Sequence, residues 1–318
     1  MKRVIFVLTE RVELFDAAGP AQVFHEANAA GADYALVFAA ASAEVTSVPS
    51  LTLARLHPLP DDVGPSDTIV VPGSGILRED ACARRARIRP LVAWLRRAYD
   101  AGARVCSVCV GAFALGAAGL LNGRHVTTHW KYIEALQQAF PNARVATNRL
   151  YIFDGRIATS AGIASGVDLA LAIVERDAGA RIAAIAAREM VVGVRRAGAD
   201  EQLSPYFHAR EHVFAEVHAA QDWLVEHLDE PYSLESLARI AGVSSRTLTR
   251  QFRAATGGTV KDYATSLRLA LARELLRDRS LKVEEVAERC GLRDGRHLRR
   301  LWRERFGASP SHSRGAEA

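Results

Sequence analysis

The chain has 318 residues, 49% of them hydrophobic, and a formal net charge of +5, long enough for two globular domains with cores of their own. Its four cysteines (Cys82, Cys106, Cys109 and Cys290) make neither a disulfide framework nor a paired C-x-x-C set, and MKRVIFVLTER is too short an apolar run for a signal peptide, so a cytoplasmic protein is expected. The charge is uneven: residues 231–318 hold 18 Lys+Arg against 10 Asp+Glu and the remainder 23 against 26, the pattern of a neutral part joined to one that faces a polyanion.

In chain order, Arg3–Leu8, Tyr34–Ala39, Thr68–Val71 and Arg104–Val108 read as strands, apolar without polar alternation. Gly19–Ala30, Arg87–Ala101, Ala112–Leu120 and Trp130–Ala139 read as the helices between them, with a further strand at Arg156–Thr159 and a helix at Gly166–Arg176. Continuous apolar strands separated by helices predict a doubly wound, mainly parallel sheet of flavodoxin-like α/β class, with sites at the carboxyl ends of its strands. Residues 105–123 carry no charge for 19 positions. Their glycines and asparagine divide them into a short strand and a small-residue helix, so buried core is expected and no membrane.

From Arg195 to Tyr206 the pattern breaks into Gly, Pro and charges, which predicts domains at 1–195 and 215–318 with a linker at 196–214. Beyond it the chain is helical and repeats itself. LESLARIAGVSSRTLTRQF, Leu234 to Phe252, matches VEEVAERCGLRDGRHLRRLW, Val283 to Trp302, at an offset of 49 residues that becomes 50 past the turn. A short helix, a glycine turn and an arginine-bearing second helix form a helix-turn-helix, so the C-terminal domain should be all-α with two such units. Lys261–Leu276 is expected to be one helix joining them.

Arginine excess alone is weak evidence in a chain with only four lysines. Placed on two second helices, it points to double-stranded DNA. By alignment of the two copies the groove-facing residues are Arg246, Thr249 and Arg250, then Arg296, His297 and Arg300. Leu248, Phe252, Leu298, Leu301 and Trp302 form the packed stripe.

These C-terminal residues, with the closing Phe306-Gly307-Ala308-Ser309-Pro310, resemble the AraC/XylS-type DNA-binding domain. Leu292, where an aromatic is usual, and Ser313, near a usual tyrosine, depart from its pattern. The N-terminal signatures FDAAGP (15–20), PGSG (72–75), SVCVGAF (107–113), TTHW (127–130) and SAGIASGVD (160–168) resemble the DJ-1/PfpI, or class I glutamine amidotransferase-like, fold. Together the two parts look like the GlxA-type transcriptional regulators.

Cys109 is expected where a strand turns sharply into a helix, a setting that exposes free backbone N–H groups and lowers a thiol pKa. The resemblance pairs it with Asp16, expected on a neighbouring loop, and makes His129 a further neighbour. It implies a ligand site of Asp16, Gly73, Gly75, Cys109, Val110 and His129. Val110 stands where hydratase-like members carry threonine, so binding without turnover is the adopted reading. An active cysteine hydrolase or hydratase with a DNA-binding tail is the rival, and a redox-sensing or chaperone-like role the third. Cys106, on a buried strand, should be inert.

No cofactor or metal is expected. Gly73-Ser74-Gly75 has Arg78 in place of the third glycine of a dinucleotide fingerprint, and His208 with His212 lacks a third ligand. The implied partners are promoter DNA, a small effector of nitrogenous-metabolite type, RNA polymerase and a second copy of the chain.

Overall fold

A computed structural model of the protein describes residues 1–75, 81–192, 196–202, 206 and 209–310, with backbone only for residues 81–87. Arg78, His208 and Ser313, and the side chain of Cys82, lie outside the described residues. The chain divides into two units, Met1–Gln202 and Leu203–Ala318.

The first unit runs β1 (Lys2–Leu8), α1 (Leu14–Ala29), β2 (Tyr34–Ala40), β3 (Glu44–Thr46), β4 (Thr52–Ala54), β5 (Thr68–Val71), α2 (Ala81–Asp100) and β6 (Arg104–Val108). It continues with α3 (Ala112–Ala117), β7 (His125–Val126), α4 (Ile133–Ala139), β8 (Arg144–Val145), β9 (Tyr151–Asp154), β10 (Ile157–Ser160), α5 (Ala164–Ala178) and α6 (Ala180–Glu189). The main sheet has the order β2-β1-β5-β6-β10-β9. All its pairs are parallel except β9 with β10. Side chains of successive strand residues enter opposite cores, because a strand alternates its faces. Val4, Phe6, Cys106 and Val108 pack with α1, α5 and α6, whereas Ile5, Val7, Ile69 and Val105 pack with Leu95 of α2 and Leu115 of α3. The uncharged 105–123 stretch is therefore strand, turn and helix within a core. No helix of the described residues is long and apolar enough to cross a membrane.

Helix α1 starts five residues before the expected Gly19. Pro20 reads in sequence as a helix start, since its missing N–H costs nothing there. In the fold Pro20 lies inside the helix, which places Asp16 in the first helical turn rather than on a loop. Helix α3 is shorter than expected, ending before Gly119 with its left-handed φ of 72°. Trp130–Tyr132 forms a 3₁₀ turn ahead of α4.

The second unit comprises α7 (Ala215–Glu226), α8 (Leu234–Ile240), α9 (Ser245–Thr256), α10 (Val260–Leu275), α11 (Val283–Arg289) and α12 (Gly295–Phe306). The two helix-turn-helix units are α8–α9 and α11–α12, with Gly242 (φ 69°) and Gly291 (φ 64°) at their turns. Ser233, Ser244, Thr259 and Asp294 cap helix starts by accepting backbone N–H bonds, and left-handed Gly257 and Gly307 close α9 and α12. Leu248 and Phe252 of α9 enter one core, and Leu298 and Trp302 of α12 enter another. Helix α10 serves both, Tyr263 and Leu267 in the first and Leu269 and Ala272 in the second. One unbroken helix thus carries both units on its flanks. Leu292 is buried in the second core, filling the place of the usual aromatic with an aliphatic side chain.

Trp302 is 2% exposed and packs against Phe306, ring centroids 4.6 Å apart and planes tilted by 54°. Trp302→Ala is expected to cost roughly 3–5 kcal/mol in equilibrium denaturant unfolding, the usual loss for a large aromatic removed from a core.

Candidate functional site

Four segments meet at the carboxyl edge of the sheet: the start of α1, the Pro72-Gly73 turn after β5, the Cys109 turn after β6, and the Gly162-Ile163 turn after β10. Their meeting point is the Asp16 carboxylate, which has no exposure to solvent. Oδ1 accepts the Ile163 N–H at 2.6 Å and Oδ2 accepts the Gly73 N–H at 3.2 Å. The Cys109 thiol donates to the same carboxylate. Burial pushes the Asp16 pKa up to about 6, against those hydrogen bonds, which favour the ionised form. Because the folded value lies above the unfolded one of 3.8, the stability contributed by protonation is full below 3.8 and is lost as pH rises through about 6.

Cys109 opens a 3₁₀ turn, Cys109–Gly111, and has a φ of 56°, left-handed for a side chain with a Cβ. Two glycines make room for this turn. A Cβ on Gly73 would sit 2.5 Å from Asp16 Oδ2 and 3.1 Å from Cys109 Cβ, and one on Gly162 would meet Cys109 Sγ at 2.8 Å. Val110 contributes its N–H to the Cys109 sulfur, and its side chain is buried against Gly73. The Cys109 carbonyl accepts the hydroxyl of Thr128, at 2.8 Å and fully buried.

The thiol itself departs from expectation. Burial first, and the Asp16 charge second, push its pKa well above the usual thiol range, and the Val110 N–H only partly offsets them. A helix N-terminus lowers a thiol pKa where water can solvate the charge, and here Cys109 is 6% exposed beside an anion. Both causes favour the protonated thiol over the thiolate. Cys106 is fully buried and pushed up to about 12 by that burial.

Of the expected ligand residues, the fold brings together Asp16, Gly73, Cys109 and Val110. Gly75 lies two residues away along its turn, against the Arg11 side chain. His129 accepts the Lys131 N–H at 3.3 Å through Nδ1 and packs beside Trp130 and Tyr132. The neighbour in the TTHW motif that touches Cys109 is Thr128. Ile163, Gly162 and Thr128 were missed as individual residues, although two quoted motifs contain them. Among the described residues no group of three or more His, Cys, Asp or Glu side chains could hold a metal. His212 stacks on His218, ring centroids 4.1 Å apart.

In the second unit, Arg246, Thr249 and Arg250 are exposed on α9, and Arg296 and Arg300 on α12. Thr249 donates back to the Ser245 carbonyl at 2.8 Å, and Arg300 pairs with Glu304 at 2.8 Å one turn on. His297 is half-buried, its pKa lowered by burial and then by Arg300, and its Nδ1 has no hydrogen-bond partner. Arg299, outside the expected set, pairs with Glu284 of α11 at 2.8 Å. His297 and Arg300 line a groove of about 1290 Å³ that also meets Lys261 and Arg268 of α10.

A DJ-1/PfpI sheet with its cysteine turn, followed by paired helix-turn-helix units, defines a DNA-binding regulator with an enzyme-like first unit. The DJ-1/PfpI family matches residues 2–176, and a helix-turn-helix domain matches residues 237–316. The chain is 33% identical over 237 residues to the HTH-type transcriptional regulator CdhR of Pseudomonas aeruginosa, covering 72% of this chain and 68% of that one. It is 31% identical over 224 residues to the HTH-type transcriptional regulator GlxA of Rhizobium meliloti, covering 69% and 68%. A crystal structure of an AraC family transcriptional regulator from Pseudomonas putida shares the fold, with a TM-score of 0.54 at 22% identity over 60% of this chain and all of that one. The chain belongs to the DJ-1/PfpI family and, with its helix-turn-helix domain, to the HTH-type transcriptional regulators.

Asp16 is ionised throughout the range in which the thiol titrates, so its charge opposes thiolate formation at every point of that titration. Asp16→Ala is expected to move the pH profile of Cys109 alkylation downward by about one unit or more. The check is the iodoacetamide rate against pH in both proteins, with Cys109 followed by mass spectrometry.

Proposed function

We propose that residues 1–195 sense a small polar effector at the Cys109 turn and that its binding changes DNA occupancy by residues 215–318 through the connection at 196–214. The observation that carries this is the Cys109 thiol, 6% exposed and hydrogen-bonded to a fully buried carboxylate, an arrangement suited to holding a ligand and poorly suited to nucleophilic attack. Exposed Phe15 and Ile163, each next in sequence to a residue of the site, would give the ligand an apolar rim. A nitrogenous metabolite fits a site with a thiol, a carboxylate behind it and backbone N–H groups. Contact with RNA polymerase, a cytoplasmic location and pairing of two copies complete the reading. Purified protein should be screened against amides, glutamine, isocyanides and α-oxoaldehydes by thermal shift, with hits tested for their effect on DNA affinity. Cys109→Ser should keep the fold and DNA affinity. The left-handed φ of Cys109 favours the rival, an active hydrolase or hydratase. Multiple turnovers that vanish in Cys109→Ser would establish it.

On the DNA side, Arg246, Thr249, Arg250, Arg296, His297 and Arg300 are the proposed contacts, with Arg250 and Arg300 reading bases. Each of Arg250→Ala and Arg300→Ala should cost about 1–3 kcal/mol at a cognate site. Footprints should cover two major-groove segments on one DNA face, about one helical turn apart per subunit. Fluorescence anisotropy on cognate and random DNA decides the roles: equal loss on both would make these arginines phosphate clamps.

A further inference from the structure

Residues 196–202 lie beyond the stretch that the DJ-1/PfpI family matches, yet they are bound tightly to the first unit. Arg196 pairs with Asp168 of α5 at 2.6 Å, and that carboxylate is only 3% exposed. The carbonyls of Gly198 and Asp200 both accept the Leu150 N–H at 3.1 Å, and the Ala199 carbonyl accepts Arg149 Nη1 at 3.0 Å. Gln202, the last residue of the unit, receives its backbone anchor from Asn148, whose Oδ1 accepts the Gln202 N–H at 3.0 Å.

The side chain of Gln202 reaches further. Its Nε2 donates to the Thr128 carbonyl at 2.9 Å and the Arg149 carbonyl at 3.0 Å, with Thr127 Oγ1 at 3.3 Å. Thr128 in turn donates its hydroxyl to the Cys109 carbonyl at 2.8 Å. The end of the unit is thus two hydrogen bonds from the Cys109 peptide. A second route runs parallel to it. Leu150, which binds Gly198 and Asp200 through its N–H, accepts the Ala161 N–H at 2.8 Å through its carbonyl. Ala161 precedes Gly162 and Ile163, and the Ile163 N–H is held by Asp16. The middle of each route is buried, at Thr128 and at Leu150, so displacement at one end must be met at the other or a buried bond is lost.

We infer that residues 196–202 form a clasp that couples the Cys109 site to the chain entering the second unit, with Gln202 acting through Thr128 as a positioning residue for the Cys109 turn. The inference rests on reading that turn as the effector site. It makes Cys109 and Gln202 thermodynamically linked, and linkage is reciprocal. Loosening the clasp must loosen the turn, and loosening the turn must loosen the clasp.

The test uses the full-length protein and hydrogen exchange on peptides covering 107–113 and 196–202. Gln202→Leu keeps the side-chain bulk and removes the donors. It should raise exchange several-fold in both peptides and shift the pH profile of Cys109 alkylation. Thr128→Val, at the other end, should raise exchange several-fold in 196–202, and Thr128→Ser, which keeps the hydroxyl, should match the unaltered protein. Gln202→Leu that loosens only its own segment, or Thr128→Ser that behaves as Thr128→Val does, would overturn the clasp. Iodoacetamide-modified Cys109 then separates the clasp from the sensor reading. Reciprocal exchange together with unchanged DNA affinity of the modified protein upholds the clasp and removes the sensor. An affinity change of equal size in the modified unaltered protein and in modified Gln202→Leu upholds the sensor and removes the clasp.

Discussion

One buried carboxylate organises the first unit's functional edge. Asp16 accepts N–H groups from two turns and a thiol from a third, while its own backbone belongs to a helix, so four segments of distant sequence are tied at a single point. A buried carboxylate is costly unless its lone pairs are used, and here the fold uses them. The same economy explains the glycines at 73 and 162, which leave no Cβ between the carboxylate, the thiol and the turns. It also adds to the raised thiol: burial acts first, and the Asp16 anion hydrogen-bonded to the thiol is a poor neighbour for a second negative charge.

The second unit is organised by a shared helix rather than a shared charge. Helix α10 contributes to both cores, so neither helix-turn-helix can shift without repacking the other's support. The spacing of α9 and α12 is therefore a property of one 16-residue helix.

Much of this was legible beforehand. The parallel strands announced themselves as continuous apolar runs, and the repeated helix-turn-helix pattern marked most of the packed stripes: Leu248, Phe252 and Leu298 are fully buried and Trp302 is 2% exposed, while Leu301 is half-buried. The antiparallel β9 was hidden because its four residues are all half-buried and short. Helix α6 was hidden because its buried side chains are alanines, Ala183, Ala186 and Ala187, which give little hydrophobic contrast. Within the site, Cys109 and Asp16 could be found by residue type, whereas Thr128 and Gln202 work on backbone carbonyls, and no residue type marks a carbonyl. The direction of the thiol shift was misjudged for a related reason. Sequence places a sulfur at a helix start, but only the packed fold shows how little water reaches it.

The ion pairs on the second helix-turn-helix carry a consequence for selectivity. Glu304 holds Arg300 and Glu284 holds Arg299, so each guanidinium already has an internal counter-anion. If Arg300 reads DNA as proposed, a phosphate or a guanine edge would compete with Glu304 rather than with water alone. Loose, poorly aligned contact with arbitrary sequence would gain little from such an exchange, while a well-aligned bidentate contact would gain more. The carboxylates would then act as a threshold, filtering weak encounters so that the arginines commit chiefly where the duplex offers a matching edge.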